Sequence, residues 1–83
     1  MECVVCGKPG ADRHHIFFGT ANRKKSEQYG YVIGLCREHH TGAHGIHFDR
    51  EFDLSVKRIA QRDFEKRFGT RDDFRREFGK SYL

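Results

Sequence analysis

The chain has no tryptophan, a single proline and only three cysteines among 83 residues, and it lacks any long apolar run. Each shortage excludes something. Without about 20 consecutive apolar residues, no membrane span is expected. The N-terminus has no basic-then-apolar leader, so the expected location is the cytoplasm. Three cysteines cannot all pair within one chain, and in a reducing compartment they read as metal ligands rather than a disulfide framework. Hydrophobic content of 36% against 34% charged leaves a core that needs a staple such as a metal. Eight phenylalanines point to a compact aromatic core, and the formal charge of +4 points to a polyanionic partner, nucleic acid before membrane.

The length fits one domain, residues 1–83, with a metal-bearing part over 1–48 and a helical extension over 49–83. "MECVVCGKPG" forms a turn. Residues 14–18 and 31–35 read as an antiparallel strand pair around a polar, Gly-bounded loop over 19–30. A short helix after Cys36 carries His39 and His40. From residue 53 the apolar period becomes helical: Phe52, Val56, Ile59, Ala60, Phe64 and Phe68 share one face. Asp53 or Ser55 is the expected cap, and Gly69 the stop. Thr70 and Asp73 form an Asp variant of the capping box for a last helix with Phe74 and Phe78 inward and Gly79 at its end. Tyr82 and Leu83 are expected to pack back on the core.

Cys3-x-x-Cys6 and Cys36-x-x-His39 are two short spacings, each able to put two ligands on one side of an ion. Together they supply the four ligands of a structural zinc site. That leaves His14, His15, His40, His44 and His47. On a helix His40 and His44 would stand at i and i+4, a spacing that lets two imidazoles share an ion. His47 competes for the same place if Gly45 ends the helix. If 14–18 is a strand, His14 and His15 point to opposite faces and cannot share a task.

"HHIF", a strand–loop–strand, then "LCREHH" and further histidines resemble the HNH nuclease motif, the ββα-metal fold. The resemblance covers roughly 1–48, and "FGKSYL" near the end is similar to small phage-type members related to recombination-enhancing nucleases. It implies a small α+β fold: a zinc-stapled ββα-metal motif with C-terminal helices. His14 would bind a catalytic metal together with His40 and either His44 or His47, and His15 would be the general base. The middle Asn of the family is not evident. Tyr31 or a neighbour stands in its place and Asn22 lies in the loop, although in the family that Asn mainly fixes the loop and hence the base.

The implied activity is metal-dependent DNA endonuclease cleavage leaving 5′-phosphate and 3′-hydroxyl ends, in phage DNA recombination or processing in a bacterial host. Arg13, Arg23, Lys24 and Lys25 are candidate phosphate contacts. The helix from residue 53 carries Lys57, Arg58, Arg62, Lys66 and Arg67, interrupted by Asp63 and Glu65, and this mixture of signs suits a solvated face. Besides structural Zn2+, one catalytic divalent ion is expected: Mg2+, Mn2+, Ni2+ or Zn2+, with imidazole ligands favouring the transition metals. DNA is the expected partner, with a recombinase or packaging protein as a further candidate. The rival readings are a non-catalytic zinc module that binds nucleic acid or protein, and an accessory nuclease that needs a partner.

Overall fold

The structure is a computed structural model that describes residues 1–83. Its elements run β1 (Asp12–His15), α1 (Thr20–Tyr29), β2 (Val32–Leu35), α2 (Arg37–His40), α3 (Arg50–Arg67) and α4 (Arg71–Phe78). The result is a small α+β fold with one two-stranded sheet. No helix is long and apolar enough to cross a membrane.

β1 and β2 pair antiparallel, with Asp12 opposite Leu35 and His15 opposite Val32. The first strand lies earlier in the chain than the expected 14–18 and shares only His14 and His15 with it. Its ladder ends after Ile16, whose N–H reaches the Tyr31 carbonyl at 3.0 Å. Beyond it, Ser26 takes over both backbone groups of Phe17. The Phe17 N–H donates to Ser26 Oγ at 3.1 Å, and that hydroxyl donates back to the Phe17 carbonyl at 2.9 Å. A side chain thus replaces a strand partner and ends the sheet.

Ser26 belongs to the largest correction. Residues 19–30 are not a loop but contain helix α1. Ala21, Arg23, Lys24, Lys25, Glu27 and Gln28 are good helix formers, and Gly30 closes the helix with a left-handed φ of 80°. No apolar stripe announces α1, because its inner face is largely polar and satisfied by specific partners. Asn22 Nδ2 donates to the Phe78 carbonyl, Lys25 Nζ to Glu77 Oε2 and the Tyr29 hydroxyl to Glu77 Oε1. α1 is thereby fastened to α4.

α3 starts a turn earlier than expected. Asp49 is the cap, its carboxylate accepting from the Phe52 N–H at 3.1 Å. Asp53 instead pairs with Lys57, and the Ser55 hydroxyl donates back to the Phe52 carbonyl. The buried face is also rotated. Ala60 and Phe64 face inward as expected, with Lys57 and Gln61 beside them, whereas Ile59 is 65% exposed and Phe68 46% exposed. Gln61 explains part of the rotation. Its amide donates to Ser81 Oγ and Glu65, and its carbonyl accepts from the Tyr82 N–H at 2.7 Å. This knot holds the tail so that Tyr82 packs against the core, while Leu83 remains exposed. α4 has the expected capping box, with Asp73 N–H on Thr70 Oγ1 and Thr70 N–H on Asp73 Oδ2. Gly79 closes it at φ 93°.

Two apolar clusters result. The larger joins Ile16, Phe17, Tyr31, Ala60, Phe64, Phe74 and Phe78. The smaller gathers Leu35 and Ile46 around Cys3 and Cys36, and Ile33 and Val56 pack against both. The N-terminal turn docks on β2 through the Val4 N–H, which donates to the Gly34 carbonyl at 2.9 Å. Gly34 is required there: a Cβ would collide with the Glu2 carbonyl oxygen.

Candidate metal centres and active site

The first site joins the N-terminal turn to the end of β2. Cys36 caps α2, so Cys36 and His39 share its first turn, and the turn at residues 3–8 brings Cys3 and Cys6 to meet them. Cys6 Sγ lies 3.8 Å from Cys36 Sγ, too far for a disulfide. His39 Nδ1 lies 3.1 Å from Cys36 Sγ and 3.6 Å from Cys3 Sγ. Sulfurs each about 2.3 Å from a tetrahedral zinc lie about 3.8 Å apart, and a sulfur–nitrogen pair about 3.5 Å apart. The spacing therefore fits a Cys3His zinc centre. Burial opposes ionisation of Cys3, but the backbone N–H groups of Cys36, Cys6 and Val5 outweigh it and hold the thiol at about 6. At Cys3 the site thus favours the thiolate that a metal needs. Cys36 is lowered too, first by the His39 backbone, and the two thiolates in turn raise His39. At Cys6 the Lys8 backbone N–H is outweighed by desolvation and the neighbouring Cys3 and Cys36 sulfurs, and the thiol is raised.

The second site grows from β1. Alternation places Asp12 and His14 on one face of the strand and Arg13 and His15 on the other. Each face meets a different helix. On the first, Asp12 Oδ2 lies 3.2 Å from Nδ1 of His40, the last residue of α2. That carboxylate steers the far nitrogen of His40 inward. The chain then reverses. Gly45 packs on the end of α2, where a Cβ would stand 2.5 Å from the His40 carbonyl oxygen. The Ile46 N–H donates to the His39 carbonyl at 2.8 Å. The turn returns His47 to His40, Nε2 to Nε2 at 3.1 Å.

His14 completes the group. It is 3% exposed, and its Nε2 is buried without a hydrogen-bond partner. Its ring centroid lies 5.2 Å from that of His40 and 5.3 Å from that of His47. One ligand atom from each of the three residues lies within 4.8 Å of the others. Tetrahedral imidazole ligands on zinc stand about 3.3 Å apart. A buried polar atom without a partner costs about 1–3 kcal/mol. A shared divalent ion fits these residues because it would satisfy the His14 nitrogen. Burial first, then the neighbouring His40 and His47, lowers His14 to about 4, so it is neutral as a ligand must be. His47 is lowered as well, first by burial and next by His40.

On the other face, His15 Nε2 lies 2.9 Å from Glu27 Oε1 of α1, and Arg13 pairs with the same carboxylate. Arg13 first, then His15, holds Glu27 below the ordinary carboxylate range. A cleft of about 370 Å³ is lined by Arg13, His14, His15, Phe18, Arg23, His40 and His47.

Among the sequence-derived candidates, the fold gathers His14, His15, His40, His47, Arg13 and Arg23 around this cleft. His44 is exposed and outside the imidazole group, because α2 stops at His40 and the i, i+4 pairing never forms. Lys24 is exposed away from the cleft lining, and Lys25 is committed to Glu77. Lys57 is not on a solvated face. It is 7% exposed, bonded to Asp53 and set 4.1 Å from the centroid of Phe18, beside the cleft. Glu27 and Asp12, which bond His15 and His40, are the partners that sequence reasoning missed. Strand alternation could have found Asp12, which shares a face with His14. Nothing local marks Glu27.

Two short antiparallel strands, the helix that follows them and imidazoles gathered from strand, helix and turn form a ββα-metal unit. The family model described as "Putative HNHc nuclease" matches residues 1–66, and the chain belongs to this HNH nuclease family. No curated protein and no solved structure matches it.

Proposed function

We propose that the chain is a metal-dependent DNA endonuclease that hydrolyses phosphodiester bonds with His15 as general base. The observation that carries this reading is the buried, unpartnered Nε2 of His14, beside His40 and His47 in a cleft that His15 also lines. A zinc module that only binds nucleic acid needs the Cys3–Cys6–Cys36–His39 clamp and has no use for a second imidazole set.

His14, His40 and His47 would hold a divalent ion, which would supply Lewis-acid stabilisation of developing negative charge. The remaining work falls to the chain. Asp12 orients His40. His15 removes a proton from the attacking water, the task of a general base. Arg23, exposed at the cleft, is placed to meet a flanking phosphate. The Cys3His clamp binds structural Zn2+ and anchors α2, which carries His40. The resemblance to phage-type members favours a role in phage DNA recombination or processing, with a recombinase or packaging protein as candidate partner.

The test combines plasmid nicking with metal analysis. Two ions per chain and nicking that depends on an added divalent ion are expected. His14→Ala or His40→Ala should remove one ion and the activity while the fold persists. One ion per chain and no cleavage with any of Mg2+, Mn2+, Ni2+ or Zn2+ would sink the proposal.

A further inference from the structure

His15 can act as a base only if one ring nitrogen keeps a lone pair and the ring is held still. Its Nε2 faces Glu27 Oε1 at 2.9 Å. An ionised carboxylate can only accept, so the nitrogen facing it carries the proton. Nδ1 is then the nitrogen left with a lone pair. Glu27 is fixed in turn by Arg13, which bonds the same oxygen. Both Arg13 and His15 lie on the α1 face of β1, and Glu27 stands on the helix that covers that face. The arrangement has the logic of a base oriented by a third group.

We infer that Glu27 is the positioning residue for His15, holding the imidazole in its Nε2–H tautomer with Nδ1 free toward water, and that Arg13 serves to fix Glu27. The inference rests on the proposed role of His15 and deepens it. It also reassigns Arg13 from gripping DNA to orienting the base.

A purely structural role is the competing account, and the geometry argues against it. The Arg13 and Glu27 side chains are 56% and 49% exposed, and ion pairs so exposed contribute little to stability. Glu27 bonds neither the core nor another helix. The α1–α4 fastening belongs to Lys25, Tyr29 and Asn22.

The test uses the full chain loaded with its metals. Glu27→Gln keeps size but removes the charge. It should leave melting and metal content unchanged, lower kcat for plasmid nicking about 10²-fold and leave KM within about twofold. Loss of an orienting carboxylate in a hydrolase triad costs up to about 10⁴-fold, and this one is partly solvated. In a His15→Ala background Glu27→Gln should cost nothing further, since the two act as one unit. Nitrogen NMR of the parent should show a downfield ring proton on His15 Nε2 that disappears in Glu27→Ala. An Nδ1–H tautomer in the parent overturns the inference without any activity measurement. So does a raised KM with unchanged kcat, which would place Glu27 and Arg13 in DNA binding. Full cleavage by His15→Ala overturns the base itself. An inactive His15→Ala beside a fully active Glu27→Gln overturns only the role of Glu27.

Discussion

His47 lies with its Nε2 3.1 Å from Nε2 of His40, returned there by the turn that packs Gly45 on the end of α2. The relationship separates two histidines that the sequence leaves as equals. His47→Ala should lose one divalent ion and nearly all nicking, while His44→Ala should retain both. Metal content by mass spectrometry decides it. Equal loss in the two variants would mean that His44 moves into the site when an ion binds.

The clamp should behave as part of the folding reaction. Cys3, Cys6, Cys36 and His39 bind the N-terminal turn to the end of β2, around a cluster that otherwise rests on Leu35 and Ile46. Structural zinc contributes about 10 kcal/mol or more in small metal-stapled domains, comparable to the whole stability of a typical one. Cys6→Ser or Cys36→Ser should abolish the cooperative melt, as should a strong chelator. A Cys36→Ser protein that melts like the parent would refute the clamp.

His15→Ala isolates chemistry from binding. His15 contacts Glu27 and lies outside the imidazole group. The variant should keep its fold, both ions and its DNA affinity, yet cleave about 10²–10⁴-fold more slowly, the usual worth of a positioned base. Binding should weaken with salt through counterion release, with the same slope in variant and parent. A changed slope would place His15 among the phosphate contacts.

The join between α1 and α4 predicts a pH dependence of stability. Lys25 first, then Tyr29, holds Glu77 below its ordinary value of 4.5. A carboxylate lowered by folding stabilises fully above its unfolded value, and the contribution is lost as pH falls through the lowered folded value. Glu77→Gln should therefore cost about 1–2 kcal/mol at neutral pH, the worth of charge-assisted hydrogen bonds at a partly buried site. The gap from the parent should shrink below about pH 4.5 and close in stronger acid. Denaturant melts at pH 7 and pH 3 measure it. A gap that stays constant between them would assign the loss to packing.

α1 shows why part of the fold stayed hidden. Its inner positions are Asn22, Lys25, Ser26 and Tyr29, three of them polar. Each is satisfied by a group distant in the chain: the Phe78 carbonyl, Glu77 or the Phe17 backbone. Periodicity detects apolar stripes and is blind to polar side chains with assigned partners. The same blindness shifted the face of α3, where Gln61 is fully buried because Ser81 and Tyr82 complete its hydrogen bonds.

What could be read without coordinates was local chemistry. Two-residue spacings define the clamp, because ligands that close reach one ion through a single turn. Alternation separates His14 from His15, because a strand has period two. Thr70 and Asp73 cap α4, because a capping box joins residues three positions apart. Long-range direction needed the fold. Whether His44 or His47 meets His40 depends on where α2 stops and how the chain packs at Gly45. Whether His15 has a partner depends on α1 crossing the far face of β1 with Glu27 in reach. Both are set by how separate segments pack, and no spacing along the chain encodes them.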